Sequence, residues 1–432
     1  MKKLVIAALA AAAVVTPALA ETYAIRAGRL ITDAAKPALG ASTIIIENGR
    51  IKAIEDGHGA VPAGATEIDL STMTVLPGLI DAHVHLTGEP DDKFWQLATT
   101  TPEYATAVGL KNALLTARAG FTTVRDLGST GMAGHAVRDA VRNGIAPGPR
   151  ILSSEPALSI VGGHGDVTGF APKVNAALDD GLTCSGLQEC AAKLRVASKA
   201  GADVIKITAT GGVLSQQDRG LGAHFTDAEM AAIVGAARGL GLKVAAHAHG
   251  ARGIEAAAKA GVDSIDHGTF ADAEAIRAMK ANGSWLVPTL MASTGLNDRM
   301  GKGIYTSVVE VKARQALAVW GKGLNAAYQA GVNIAFGTDS AVFEHGRNAE
   351  EAELMVRLGG MSPRDVLIAA TSGAAMLLGV EAETGTLEVG KATDLIAVAG
   401  DLIAVAGDPA SDPKARLSVG YVMAAGRPVP MR

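Results

Sequence analysis

Basic residues do not dominate this chain. Over 432 residues, 39 Lys and Arg stand against 43 Asp and Glu, a formal net charge of −4, and no long basic run occurs. That balance excludes nucleic acid as the main partner. Cysteine is scarce too, with only Cys184 and Cys190, in "TCSGLQEC". A lone C-x5-C pair is poor material for a zinc site. In an oxidising compartment it is a disulfide candidate, a local clamp at a helix start. No G-x-G-x-x-G follows an early apolar run, which counts against an open, doubly wound dinucleotide-binding sheet. Beyond the N-terminus no stretch is long enough to cross a bilayer, so no stable membrane insertion is expected.

The N-terminus has its own composition. Lys2 and Lys3 precede a small, apolar run from Leu4 to Val15, then Pro17, then Ala18-Leu19-Ala20. This is the layout of a secretory signal over residues 1–20, with cleavage after Ala20, and it predicts an exported protein, periplasmic or secreted. Without Lys2 and Lys3 the balance becomes 37 basic against 43 acidic residues, a net −6.

What is present is a repeated phrase: an Ala-rich helical stretch, a Gly stop, then a short Val/Ile-rich strand. It occurs in "LLTARAGFTTVRDLG", "LRVASKAGADVIKITATGG", "GAARGLGLKVAAHAHG", "IEAAAKAGVDSIDHG", "RAMKANGSWLVPTL" and "NAAYQAGVNIAFGTDS". Gly120, Gly201, Gly241, Gly261, Gly283 and Gly331 stand where a helix end needs a left-handed residue. Thr226–Glu229 ("TDAE") and Ser185–Gln188 ("SGLQ") fit capping boxes at helix starts. With Val75–His85 as a first strand and Arg150–Ser154 as a third, eight strand–helix units result. The fold class is therefore α/β, a (β/α)8 TIM-like barrel over residues 75–378. The flanks, residues 21–74 and 379–432, read as short strands and turns that pair into a small β-sandwich. Glu47–Arg50 ("ENGR") is its clearest hairpin signal. "LIAVAGD" occurs twice there without a gap, at Leu395–Asp401 and Leu402–Asp408. One copy is expected to make a strand while the other loops out or extends a hairpin.

In such a barrel the chemistry sits at the C-terminal ends of the strands. "PGLIDAHVHL" puts His83 and His85 two positions apart, on one face of a strand and ~6.5 Å apart along the backbone. The fourth strand carries Lys206, the fifth His247 and His249, the sixth His267 and the eighth Asp339. The second strand offers Arg125 and Asp126. Five of the chain's ten histidines thus fall at strand ends, the residue type that most often ligates metals. Lys206 lies among apolar neighbours in "DVIKITATGG". A buried ammonium must be paired, deprotonated or modified. One reading pairs it with a carboxylate such as Asp126. The other adds CO2 to the amine, giving a carbamate able to bridge two cations. His58, His135 and His224 lie off the strand ends and read as structural or exposed.

This constellation resembles the amidohydrolase superfamily, in its binuclear-metal, carbamylated-lysine branch. "HVH", the fourth-strand lysine, the fifth- and sixth-strand histidines and the "GTD" aspartate stand in that family's order. "TTVRDLG", "GGHGD", "GADVIKITATGG" and "GTDS" are similar to its secreted prolidase, carboxypeptidase and ochratoxinase-like subgroup. The resemblance implies two divalent ions, zinc foremost. His83, His85 and Asp339 would hold one, His247 and His267 the other, and carbamylated Lys206 would bridge them. It implies hydrolysis by a metal-bridging hydroxide, with Asp339 as ligand and general base. The expected substrate is small or dipeptide-like, with a free carboxylate: an N-acyl-amino acid, an Xaa-Pro dipeptide or an ochratoxin-like amide. His164 and His249 are the candidates for holding that carboxylate, with Arg219 and His345 behind them. A homo-oligomer is also implied. Two other readings stand beside this one. One is an imidazolonepropionase-like cyclic-amide hydrolase or deaminase, against which Lys206 counts because mononuclear deaminases do without it; the other is an inactivated binding protein, which would have lost Asp339.

Overall fold

The computed structural model describes residues 21–154, 156–217, 219–399 and 418–432. The expected signal segment and the second LIAVAGD copy lie outside these residues. Among the described residues no helix is long and apolar enough to cross a membrane.

The chain opens with β1 (Thr22–Leu30), β2 (Ser42–Glu47), β3 (Arg50–Asp56) and β4 (Thr66–Pro77). Next come β5 (Leu79–Val84), β6 (Phe121–Asp126) and β7 (Arg150–Ser153), separated by helices Pro102–Arg118 and Ala133–Arg142. The short β8 (Ser159–Ile160) and β9 (Thr183–Cys184) form a parallel pair of their own. Then β10 (Ile205–Thr208), β11 (Val244–Ala248), β12 (Ser264–His267) and β13 (Trp285–Val287) alternate with helices Asp227–Gly239, Ala251–Ala260 and Ala273–Asn282. Finally β14 (Leu395–Val398), β15 (Val419–Ala424) and β16 (Arg427–Pro428) return to the first strands.

Both chain ends meet, as expected, but hydrogen bonding joins them in one seven-stranded sheet, ordered β16-β15-β14-β4-β1-β2-β3. Its buried face gathers Ile25, Ile44, Ile46, Val75, Leu395 and Met423. Asn48 and Gly49 turn between β2 and β3 with φ of 53° and 74°, the primed turn that an Asn-Gly pair favours. The first LIAVAGD copy supplies β14, wedged between β4 and β15 and fully buried.

The central strands are parallel, in groups β5-β6-β7 and β10-β11-β12-β13. The strands β5, β6, β10, β11 and β12 are buried along their whole length, as apolar strands covered on both faces should be. Single bridges join the groups: Leu158 with Ile207, Leu286 with Ile334, and Val84 with Ser340. The Ala82 amide also donates to Phe336 O at 2.9 Å. Through these contacts β5, β6 and β7 lie side by side, Leu158 beyond β7 meets β10, β11 to β13 follow in order, and the 333–340 segment touches both β13 and β5.

Two expectations shift. The run Val75–His85 is not one strand: β4 pairs with β14 up to Pro77, and β5 begins at Leu79. Gly78 sits at the break, where a Cβ would lie 2.1 Å from Thr122 Oγ1. The eighth unit, 333–340, is held by bridges at Ile334 and Ser340 rather than by a regular ladder. At the helix ends, all six predicted stop glycines have positive φ. The Thr226–Glu229 capping box forms. The one at Ser185 does not: Gly186 is the cap residue, and the Ser185 amide donates to Glu189 Oε2 at 2.9 Å. Cys184 and Cys190 are disulfide-bonded, tying β9 to helix Leu187–Ala200.

Candidate metal centre

β5 delivers His83 from its buried interior and His85 just past its end. The 333–340 segment brings Asp339 against them, its amide donating to His83 O at 2.8 Å. Asp339 holds φ at +63°, an uncommon conformation for a non-glycine residue that the surrounding pairing imposes. His83 Nε2 and His85 Nε2 stand 3.3 Å apart, and Asp339 Oδ1 lies 3.4 and 3.2 Å from them. Burial alone would raise the Asp339 carboxyl. The imidazoles of His83 and His85 outweigh it and hold the group well below the usual carboxylate range.

The second group comes from β11 and β12. His267 Nε2 and His247 Nδ1 face each other at 2.9 Å, and the rings of His83 and His267 lie 5.1 Å apart, so the two groups adjoin. His267 also has positive φ, 73°, as does Thr289, 49°, whose hydroxyl meets His267 Nδ1 at 2.7 Å. Both oxygens of the buried Glu351 accept the amides of Leu290 and Met291 next to Thr289, at 2.8 and 2.6 Å, and fix that turn. His249, expected on the substrate side, joins His247 and His267 as a third potential ligand. Its Nδ1 meets Thr269 Oγ1 at 2.7 Å. Burial, reinforced by neighbouring imidazoles, pushes His247 and His267 well below the ordinary histidine value.

Lys206 is buried on β10, and Asp126 is not its partner. Its Nζ donates to Asp266 Oδ2 at 2.7 Å. Asp266 lies one residue before His267, completely buried, and also receives Arg125 Nη2 at 3.3 Å and Ser264 Oγ at 3.0 Å. His83 Nδ1 stands 3.3 Å from the same carboxylate. Asp126 instead accepts the Ser129 hydroxyl at 2.7 Å. Burial lowers the Lys206 ammonium toward its neutral form, against the pull of Asp266.

The donor set fits cations. His85 Nδ1 donates to the Gly128 carbonyl at 2.8 Å, which turns Nε2 toward His83 and Asp339. His83 has Nδ1 on the Asp266 side and turns Nε2 toward His85 and Asp339. Two imidazole nitrogens and the Asp339 carboxylate thus converge on one point, a donor set suited to a positive centre. Neutral imidazoles at His247 and His267 suit the same purpose.

His164 lies beside this centre, its ring centred 4.3 Å from that of His247. Gly212 makes the approach possible, since a Cβ there would fall 2.2 Å from the His164 ring. Burial pushes the His164 imidazole down to about 3. His345 stands apart from both groups, Nε2 against Gly88 O at 3.1 Å. Arg219 is exposed, near Gly162. Of the histidines read as structural, His58 meets Ala27 O at 3.1 Å and His135 meets Ser153 Oγ at 2.8 Å. His224 lies against the Gly211 turn. Sequence reasoning passed over Asp81, which accepts from the amides of His83 and Thr338 and the side chains of Thr338 and Asn348, welding β5 to the 333–340 segment. A carboxylate inside "LIDAHV" was its signal.

Comparison with known proteins agrees with this geometry. The Amidohydrolase family model matches residues 74–429. Ochratoxinase of Aspergillus niger is 33% identical over 402 residues, covering 88% of this chain and 81% of the relative. A crystal structure of a Xaa-Pro dipeptidase with methionine bound in its active site superposes with a TM-score of 0.86 at 36% identity, covering 94% of this chain and 99% of that one. A putative prolidase from Bifidobacterium longum gives 0.77 at 32%, covering 95% and 94%. With a family match that takes in every one of these candidate ligands, from His83 to Asp339, the chain belongs to the amidohydrolase family.

Proposed function

We propose that this protein is a binuclear, zinc-dependent hydrolase that cleaves the amide bond to a C-terminal amino acid. It would act on a barrel over residues 75–378, with residues 21–74 and 379–432 as the companion domain, after export and loss of residues 1–20, and as a homo-oligomer. The observation that carries the reading is the convergence of two ligand groups, His83/His85/Asp339 and His247/His249/His267, whose rings approach to 5.1 Å. Similarity to proteins named Xaa-Pro dipeptidase, prolidase and ochratoxinase supports the amide substrate.

In this reading His83, His85 and Asp339 hold one ion and His247 and His267 the other. Lys206 would leave Asp266 when CO2 adds to its neutral amine: the nitrogen forms a bond to carbon, one C=O π bond opens to give the carboxylate, and the N–H proton passes to solvent. The resulting carbamate would offer anionic oxygen donors to both groups. Two ions so held supply a lowered pKa for water and a pole for the amide carbonyl. Asp339, kept ionised by its imidazole neighbours, accepts the proton of the attacking water and delivers it to the leaving nitrogen. His164, beside His247, would hold the substrate's carboxylate, together with His249 where it is not itself a ligand, with Arg219 and His345 further out.

The test uses zinc-reconstituted mature protein and paired substrates, N-acyl or Xaa amino acids ending in Pro, Phe, Leu or Arg, each as free acid and as carboxamide. Cleavage of the free acids alone is the expected result. With two ions bound and neither series cleaved, the reading gives way to a cyclic amide or a non-peptide substrate.

A further inference from the structure

Lys312 sits on helix Ser307–Leu317, outside both ligand groups, and its side chain is buried. Its ammonium donates to Gly212 O at 2.9 Å, Ser215 O at 2.6 Å and Gln217 O at 3.1 Å, with Ser215 Oγ at 3.2 Å. All four acceptors belong to one segment, the loop that leaves β10. Burying an ammonium is costly, and charge-assisted bonds to several carbonyls are what make it tolerable. The cost therefore falls on any conformation in which this loop moves away.

That loop is a wall of the candidate centre. Gly211 O lies 3.3 Å from His247 Nε2. The Gly212 backbone presses on the His164 ring with no room for a Cβ. Gln217 Nε2 donates to Gly163 O at 3.1 Å, one residue before His164. Val213 packs with Leu296, Ala313 and Ala316, so the loop is pinned to the same helix by apolar contact as well. A chain of contacts thus runs from Lys312 through 212–217 to His164.

We propose that Lys312 is a positioning residue: it straps the loop after β10 to helix Ser307–Leu317 and so sets His164 for binding substrate. The substrate-binding half of this statement rests on the function proposed above; the strap does not.

The experiment compares full-length, metal-loaded Lys312→Met and Gln217→Ala proteins with the parent by amide hydrogen exchange and by steady-state kinetics. In Lys312→Met, exchange at 211–217 and 162–165 should quicken about tenfold or more while β11 and β12 keep their protection. Two ions per chain should remain. KM should rise about tenfold with kcat within about threefold, the pattern of lost substrate binding. Gln217→Ala should quicken 162–165 alone. Unchanged exchange in both loops overturns the strap. Quickened loops with KM unaltered, or kcat falling at constant KM, overturn the positioning of His164. If Lys312→Met does not fold, Gln217→Ala still decides, because unaltered exchange at 162–165 breaks the chain of contacts. If the parent cleaves no amide, the proposed function falls while the exchange result still judges the strap.

Discussion

Lys206 Nζ lies 2.7 Å from Asp266 Oδ2 with both side chains buried, and the same carboxylate serves Arg125. A single anion thus answers two interior cations from different strands. Removing it should be felt in stability before function. Asp266→Asn is expected to cost about 3–5 kcal/mol, the usual consequence of breaking a buried pair from one side. The His83 ring loses its neighbour at Nδ1 as well, so cation affinity should drop about 10–100-fold. Thermal melting of the metal-free variant and a metal titration measure the two effects separately. A variant as stable as the parent would mean that the pair contributes nothing net.

Lys206 itself separates a binuclear centre from a mononuclear one. Lys206→Ala should leave fewer than two ions per chain after reconstitution and should abolish turnover, since the bridging donor is gone. Elemental analysis beside a rate assay decides it. Two ions and full turnover would sink the bridging role.

Asp339 is argued to be both ligand and base. Asp339→Asn keeps an oxygen facing His83 and His85 but cannot accept a proton at neutral pH. Turnover should fall on the order of 10²–10⁴-fold, the typical contribution of general base catalysis, while bound metal persists. Undiminished kcat with metal in place would remove Asp339 from the proton path.

The site was legible wherever a polar residue interrupted an apolar strand end: His83, His85, Lys206, His247, His267 and Asp339 all stand out this way. Asp266 did not, because it directly precedes His267 and reads as part of one polar strand end. Its role depends on Lys206, Arg125 and His83, which three other strands supply, and no local pattern encodes that meeting. Arg125 was visible at its strand end for the same reason as Lys206, yet its partners were not. Strand limits failed where tertiary pairing set them. Nothing polar interrupts "TVLPGLI", and only the choice of β14 or β6 as neighbour divides β4 from β5. The stop glycines succeeded because a helix end needs positive φ whatever packs around it.

The Cys184–Cys190 bond closes a loop of only a few residues, so the entropy it removes from the unfolded chain is modest, about 2 kcal/mol. Cys184→Ser combined with Cys190→Ser should lower the melting temperature by a few degrees and leave metal content unchanged, because neither cysteine belongs to a ligand group. Loss of metal on removing the disulfide would contradict this separation.

His345 offers a pH test with a defined sign. Burial pushes its imidazole down to about 4, and its Nε2 lies 3.1 Å from the Gly88 carbonyl, an arrangement that requires a protonated Nε2. Unfolded, the same group takes up a second ring proton near pH 6.5. Between these values the unfolded chain binds more protons than the folded one, so stability rises with pH. The contribution is fully present above about pH 6.5 and is lost as pH falls toward 4. The loss approaches about 3 kcal/mol at the acid end by the usual conversion. His345→Gln, which keeps a donor for Gly88, should lose that part of the slope. Urea unfolding of the metal-free proteins at pH 7 and pH 5 provides the comparison. The parent should lose more stability across that interval than the variant, and equal losses would show that His345 titrates alike in both states.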